Sequence, residues 1–87
     1  MPFIVARDRF GDYAQWRRAW DEGAEARHAA GLKSAQLFRS PDAPNEILIL
    51  CEVDAVPREL EYLQSQPSRE RREHAGVVAE TLYFPEP

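Results

Sequence analysis

Ile47-Leu48-Ile49-Leu50-Cys51-Glu52-Val53 is the most apolar run of the chain. Side chains alternate along a strand, so Ile47, Ile49, Cys51 and Val53 face one way. Leu48, Leu50 and Glu52 face the other. A strand that is apolar on both faces belongs in the middle of a sheet. Phe3-Ile4-Val5-Ala6 opens a second strand of this kind, which runs to about Phe10. Two more mixed stretches, Ser34 to Ser40 and Val77 to Phe84, read as edge strands.

Helical spacing fills the gaps between these strands. Asp12 is a good N-cap. After it Tyr13, Trp16, Trp20 and Ala24 recur at three and four residues, which predicts one helix ending at Gly31. Pro41-Asp42-Ala43-Pro44-Asn45 is predicted to be a hairpin loop, because two prolines and an asparagine do not continue a ladder. Pro57 starts a short helix through Leu60, Tyr62 and Leu63. Pro67-Ser68 breaks it and begins another helical piece to about Ala75, stopped by Gly76. The order is β-α-β-β-α-β. That predicts an α+β, ferredoxin-like fold with a four-stranded antiparallel sheet and the first and third strands central.

Two helical arms cover only one face of such a sheet. An antiparallel sheet with a wet face should alternate apolar with polar residues, and the third strand does not. The same face of a second copy would cover it. A homodimer is therefore expected, with sheets packed face to face or closed into an α+β barrel.

Composition narrows the function. The 87 residues make one domain over 1–87. Apolar residues at 44% and charged residues at 30% are globular values. A net charge of −4 argues against a nucleic-acid partner. No apolar run approaches the ~20 residues of a membrane span, and no signal segment opens the chain, so a cytoplasmic location is expected. Cys51 is the only cysteine, which excludes an internal disulfide and a cysteine-rich zinc site. No phosphate loop, dinucleotide motif or Ser-His-Asp set is present, and neither a metal nor a cofactor is expected. Arg69, Arg71 and Arg72, interrupted by Glu70 and followed by Glu73, read as a solvated helix face.

A few residues stand out as candidates for chemistry. Arg27 is seven residues from Trp20 and lies on the stripe of Trp16 and Trp20. A buried arginine needs an acceptor. That acceptor is either a ligand carboxylate, phenolate or enolate, or an internal partner such as Glu52. Gly23 sits mid-helix on the same side, where glycine costs about 1 kcal/mol relative to alanine. It leaves either a gap for a small aromatic ligand or room for another backbone. Glu52 is a carboxylate on a central strand, read either as a general base or as an ion-pair partner of Arg7 or Arg39. His28 and His74 lie near helix ends and are candidate acids or bases. Cys51 reads as a small buried hydrophobe.

Several local stretches resemble a known family. They are Tyr13-x-x-Trp16, Ala29-Ala30-Gly31-Leu32-Lys33, Leu37-Phe38-Arg39, Pro44-Asn45-Glu46 and Ala75-Gly76-Val77-Val78 followed by Tyr83-Phe84. With the element order they are similar to the dimeric α+β barrel superfamily, and within it to small bacterial cyclase-like and antibiotic-biosynthesis-monooxygenase-like proteins. The resemblance implies a cofactor-free monooxygenase or cyclase acting on an aromatic or polyketide-like compound. The alternative is a non-catalytic binding or stress-type homodimer. On this reading the ligand lies between the first helix and the sheet. Trp16, Trp20, Tyr62 and Phe38 wall it, with His28 and Arg39 as further contacts. Arg27 steadies an anion, and His74, His28 or Glu52 moves the proton. Relatives often carry histidines at the positions of Asp8 and Gly23, so any chemistry of those imidazoles is not carried over.

Overall fold

The computed structural model describes residues 2–86. Its elements are β1 (Phe3–Phe10), α1 (Tyr13–Glu22), α2 (Ala24–Ala29), β2 (Leu32–Ser40), β3 (Ala43–Val53), α3 (Val56–Leu63), α4 (Gln66–His74) and β4 (Val77–Tyr83). All neighbouring strands are antiparallel, in the order β2-β3-β1-β4. The two strands that are apolar on both faces, β1 and β3, are the central ones, as their sequences require. This is the expected α+β, ferredoxin-like arrangement, with each helical arm divided in two. Among the described residues, no helix is long and apolar enough to cross a membrane.

Two boundaries differ from the sequence reading. The first helix does not run unbroken to Ala30. It ends at Gly23, whose N–H donates to the carbonyl of Ala19 at 3.1 Å, and α2 starts afresh at Ala24. The expected five-residue loop is a two-residue turn, Pro41-Asp42, and β3 already begins at Ala43. Pro44 is tolerated because it meets no strict ladder. The β2–β3 register jumps from Phe38↔Leu48 to Ser40↔Ala43, and β1 joins β3 only from Glu46. The Pro44 carbonyl is used instead, accepting from Arg39 Nη2 at 3.0 Å. Left-handed backbone at Gly31 (φ 107°) and Gly76 (φ 76°) turns the chain from α2 into β2 and from α4 into β4.

The core lies between the sheet and the helices. Ile4, Ala6, Asp8 and Phe10 of β1 and Ile47, Ile49 and Val53 of β3 are buried on this inner face. Trp16 and Ala19 of α1 and Ala75 pack onto them. β4 joins β1 with an irregularity. Asp8 pairs with Glu80 and Arg9 with Ala79, but Phe10 pairs with Val77. Val78 is the extra residue, and it is 75% exposed. The outer face has no cover: Phe3, Phe38, Leu48 and Tyr83 are exposed there.

Truncating Ile47 opens a void in the best-packed part of this core. Ile47→Ala should cost about 2–5 kcal/mol in urea unfolding. A loss under about 1 kcal/mol would mean that the packing between β3 and α1 is looser than described.

Candidate functional site

The aromatic side chains of α1 form a stack against the sheet. The Trp16 and Trp20 rings are 5.4 Å apart and 12° from parallel. Phe10 lies 5.9 Å from Trp16, and Tyr13 lies 6.3 Å from it. Residues three and four apart share a helix face, which is what brings these rings together. Trp16 is the buried centre. Trp20 is half-buried and borders a cavity of about 100 Å³ between the helices and the sheet. The walls are mostly apolar, with Ile4, Ala6, Ile49 and Leu82 below and Tyr62 and Leu63 of α3 opposite.

Arg27 of α2 folds over the Trp20 ring, its guanidinium carbon 3.5 Å from the ring centre. The reason is Gly23. A Cβ placed there would stand 2.8 Å from Arg27 Nη1, so the glycine gives the guanidinium its seat. Burial lowers the Arg27 pKa, and its Nε is buried with no acceptor. The candidate partner Glu52 is not involved: it lies on the outer face, where Ser34 Oγ donates to it at 3.3 Å. Glu59 of α3 faces the same cavity. It is 5% exposed, and its Oε2 has no donor. Burial raises its pKa, and Arg27 opposes that rise.

The cavity floor holds a second acidic group. Asp8 is 4% exposed and sits directly opposite Glu80 in the β1–β4 pair. Trp16 Nε1 donates to Asp8 Oδ2 at 3.2 Å, while Oδ1 has no donor. Burial, and then the hydrogen-bonded, negatively charged Glu80 carboxyl, push the Asp8 pKa up to about 8. One proton held between the two carboxyls satisfies the bare oxygen. Glu80 lies beside Arg72, whose Nε is 3.8 Å from Glu80 Oε1. Arg72 is itself fixed by Ser68 Oγ and the Leu63 carbonyl, both accepting at 2.9 Å.

Of the residues expected from sequence to form a site, Trp16, Trp20, Arg27 and Tyr62 come together at the cavity. Phe38 does not, because the alternation of β2 turns it to the outer face. Arg39 stacks instead on Tyr13, 3.7 Å from the ring centre. His28 is exposed on α2, beside a shallow surface depression. His74 is exposed too, with Nε2 3.8 Å from Glu22 Oε2. The Arg69–Arg72 run is not simply a solvated face, since Arg71 and Arg72 both reach the cavity. Burial pushes the Cys51 thiol up to about 12, which makes it unreactive. Among the described residues, no three His, Cys, Asp or Glu side chains group as a metal site.

Asp8, Glu59 and Glu80 escaped the sequence reading, although a signal was present for each. Asp8 alternates with Ile4, Ala6 and Phe10 on the inward side of β1. Glu59 is three residues after Val56 and four before Leu63, on the apolar stripe of α3. Glu80 is two residues before Leu82 on β4.

Native Asp8 binds its proton at a pKa near 8, against 3.8 for an ordinary carboxyl. Between these values the folded state therefore holds a proton that the unfolded state has lost. Stability falls as pH rises through this window, by at most about 1.4 kcal/mol per pH unit from this group. Asp8→Asn should flatten the slope of urea stability between pH 4 and pH 8, and should be the more stable form at pH 9. Parallel slopes for variant and parent would place the proton elsewhere.

No family model matches the chain, and no curated protein matches it by sequence. Solved structures do match it along its length. One, an antibiotic biosynthesis monooxygenase, superposes with a TM-score of 0.73 at 13% identity, covering 100% of this chain and 98% of its own. SnoaB, a cofactor-independent oxygenase from Streptomyces nogalater, gives 0.74 at 14% identity, covering 99% and 93%. Rv0793 from Mycobacterium tuberculosis gives 0.67 at 18% identity, covering 100% and 97%. The resemblance read from the sequence holds at the level of fold. The chain has the ferredoxin-like fold of the antibiotic biosynthesis monooxygenase structures.

Proposed function

We propose that the chain binds a small aromatic molecule in the cavity under α1 and α2 and acts on it as a cofactor-independent, monooxygenase-like enzyme. The observation that carries this reading is the guanidinium of Arg27 stacked on Trp20 at an apolar cavity, with Nε left without an acceptor. Oxygenation without a cofactor needs a substrate that can itself give an electron to dioxygen. An aromatic or enolic anion does so, and a buried cation beside it favours the anion. The Asp8–Glu80 pair, poised near neutral pH, is suited to take or return the proton. This pair replaces His74, His28 and Glu52 in that role. The cavity of about 100 Å³ is smaller than the roughly 150 Å³ that holds benzene, so one ring enters with a modest widening between α2 and α4. A polycyclic or extended polyketide would need a much larger opening.

The working unit is a homodimer in this proposal, set in the cytoplasm. Phe3, Phe38, Leu48 and Tyr83 form an apolar outer face that a second copy would bury. Sedimentation at micromolar concentration should give twice the mass of one chain. Leu48→Asp combined with Phe38→Asp should give the mass of one chain. A parent protein of single-chain mass would remove the dimer.

Monocyclic phenols and hydroquinones test the cavity. A ligand at 100 times its Kd should add about 2.7 kcal/mol of stability, seen as a thermal shift. Arg27→Ala should abolish the shift and leave the far-ultraviolet spectrum unchanged. With a true substrate, oxygen uptake should proceed without added flavin, nicotinamide or metal, and the product should carry one atom of labelled oxygen. Ligand binding with no oxygen uptake across the panel would favour the non-catalytic binding dimer.

A further inference from the structure

Gly23 seats a second arginine besides Arg27. The Cβ it lacks would stand 3.4 Å from Arg71 Nη1 as well as 2.8 Å from Arg27 Nη1. Two guanidinium groups, from α2 and α4, thus close over Gly23, leaving less than the space of a methyl group, and both side chains line the cavity. Like charges are not brought together without cause, and Arg71 adds to the lowering of the Arg27 pKa. Among the described residues, neither arginine forms an ion pair within 4.0 Å.

The charged groups that bear on Arg27 are few. Asp21 is engaged by Arg17 at 3.3 Å. Glu59 faces the cavity from α3, but it is one carboxylate against two guanidinium groups. Burial pushes the Cys51 thiol up to about 12, so it brings no negative charge. Asp8 holds its proton, and Glu80 is balanced by Arg72. On its exposed side Arg71 shares a surface depression with Glu70 and with Glu22, which His74 faces at 3.8 Å. Toward the cavity the two arginines offer guanidinium donors, among them a buried Arg27 Nε that lacks an acceptor.

We propose that Arg27 and Arg71 form the anion-binding end of the cavity, and that the ligand it selects is a monocyclic arene carboxylate. This rests on the proposed ligand-binding role of the cavity. A carboxylate is the planar, two-oxygen partner of guanidinium donors, and its oxygens can be shared between two such forks. Its ring continues in the same plane into the apolar cavity against Trp16 and Trp20. A simple phenol is neutral near pH 7 and leaves the charge uncompensated. A phosphate ester brings up to two charges and a tetrahedral head. Gly23 is then a positioning residue. A side chain there displaces the end of a flexible arginine, which the fold tolerates and the anion site does not.

Calorimetric titration with benzoate, benzamide and phenol tests this on the full chain. Benzoate should bind at least tenfold more tightly than benzamide, and its affinity should fall as salt rises. Arg71→Gln, at an exposed position, should bring benzoate down to the level of benzamide while phenol binding is unchanged. Gly23→Ala should weaken benzoate selectively in a protein that still unfolds cooperatively. If phenol binds but benzoate gains nothing over benzamide, or Arg71→Gln leaves benzoate unaffected, the anion end is wrong and the cavity stands. If none of the three probes binds, the cavity reading falls together with the anion site.

Discussion

The Trp16 indole joins the two layers of the molecule by two unlike interactions. Its ring packs between Phe10 of β1 and Trp20 of α1. Its N–H donates to Asp8, on the same strand as Phe10. A buried indole N–H needs an acceptor, and a buried carboxyl needs donors or a proton. Each meets part of the other's need. Glu80 and a shared proton meet the remainder. The helix is thereby held at a fixed height above the sheet, and the cavity beside Trp16 keeps its width. The acid-base pair and the aromatic wall are consequently linked through one hydrogen bond.

The break at Gly23 is the second constraint. A continuous helix of eighteen residues would carry Arg27 along the Trp16–Trp20 stripe in strict register. The interruption lets α2 begin again, and the missing side chain lets the guanidinium lie back on Trp20. Gly23 stands at the junction, ending α1 and preceding α2, where it escapes the cost of a glycine in a helix interior. The break in the helical arm and the seat of the guanidinium have the same residue as their cause.

Much of the fold was legible because its signals are periodic. The double-faced apolar runs of β1 and β3 placed them centrally, and the three-and-four spacing of Tyr13, Trp16 and Trp20 oriented α1. The hairpin was misread because proline rules concern a regular ladder, and Pro44 sits where the ladder is broken. At the site, the aromatic stripe and Arg27 were found by the same periodicity. The carboxyls were not, because charged residues on an inward face are read as exceptions or as ion pairs. Asp8 is neutral in the fold, and nothing in a one-letter sequence distinguishes a proton-bearing aspartate from an ionised one. Phe38 and Glu52 were drawn to the site by their chemistry, although the alternation that turned Leu48 outward turns Glu52 outward too.

The bulge at Val78 has a further effect. Because one residue is extruded, Val77 and Glu80 both point inward although they are three apart, an odd separation that a regular strand forbids. The helical arm that ends at Ala75 fixes one end of this segment, and the pairing of Glu80 with Asp8 fixes the other. Deleting Val78 would restore a regular ladder in which Val77 and Glu80, then two apart, still both face inward. What the extra residue changes is the path of the strand. A bulge bends its strand and increases the local twist, here between the pair that holds Val77 to Phe10 and the pair that holds Glu80 to Asp8. Loss of Val78 therefore keeps the inward pattern and straightens the edge of the sheet below the cavity, whereas point substitutions of this 75% exposed side chain change neither.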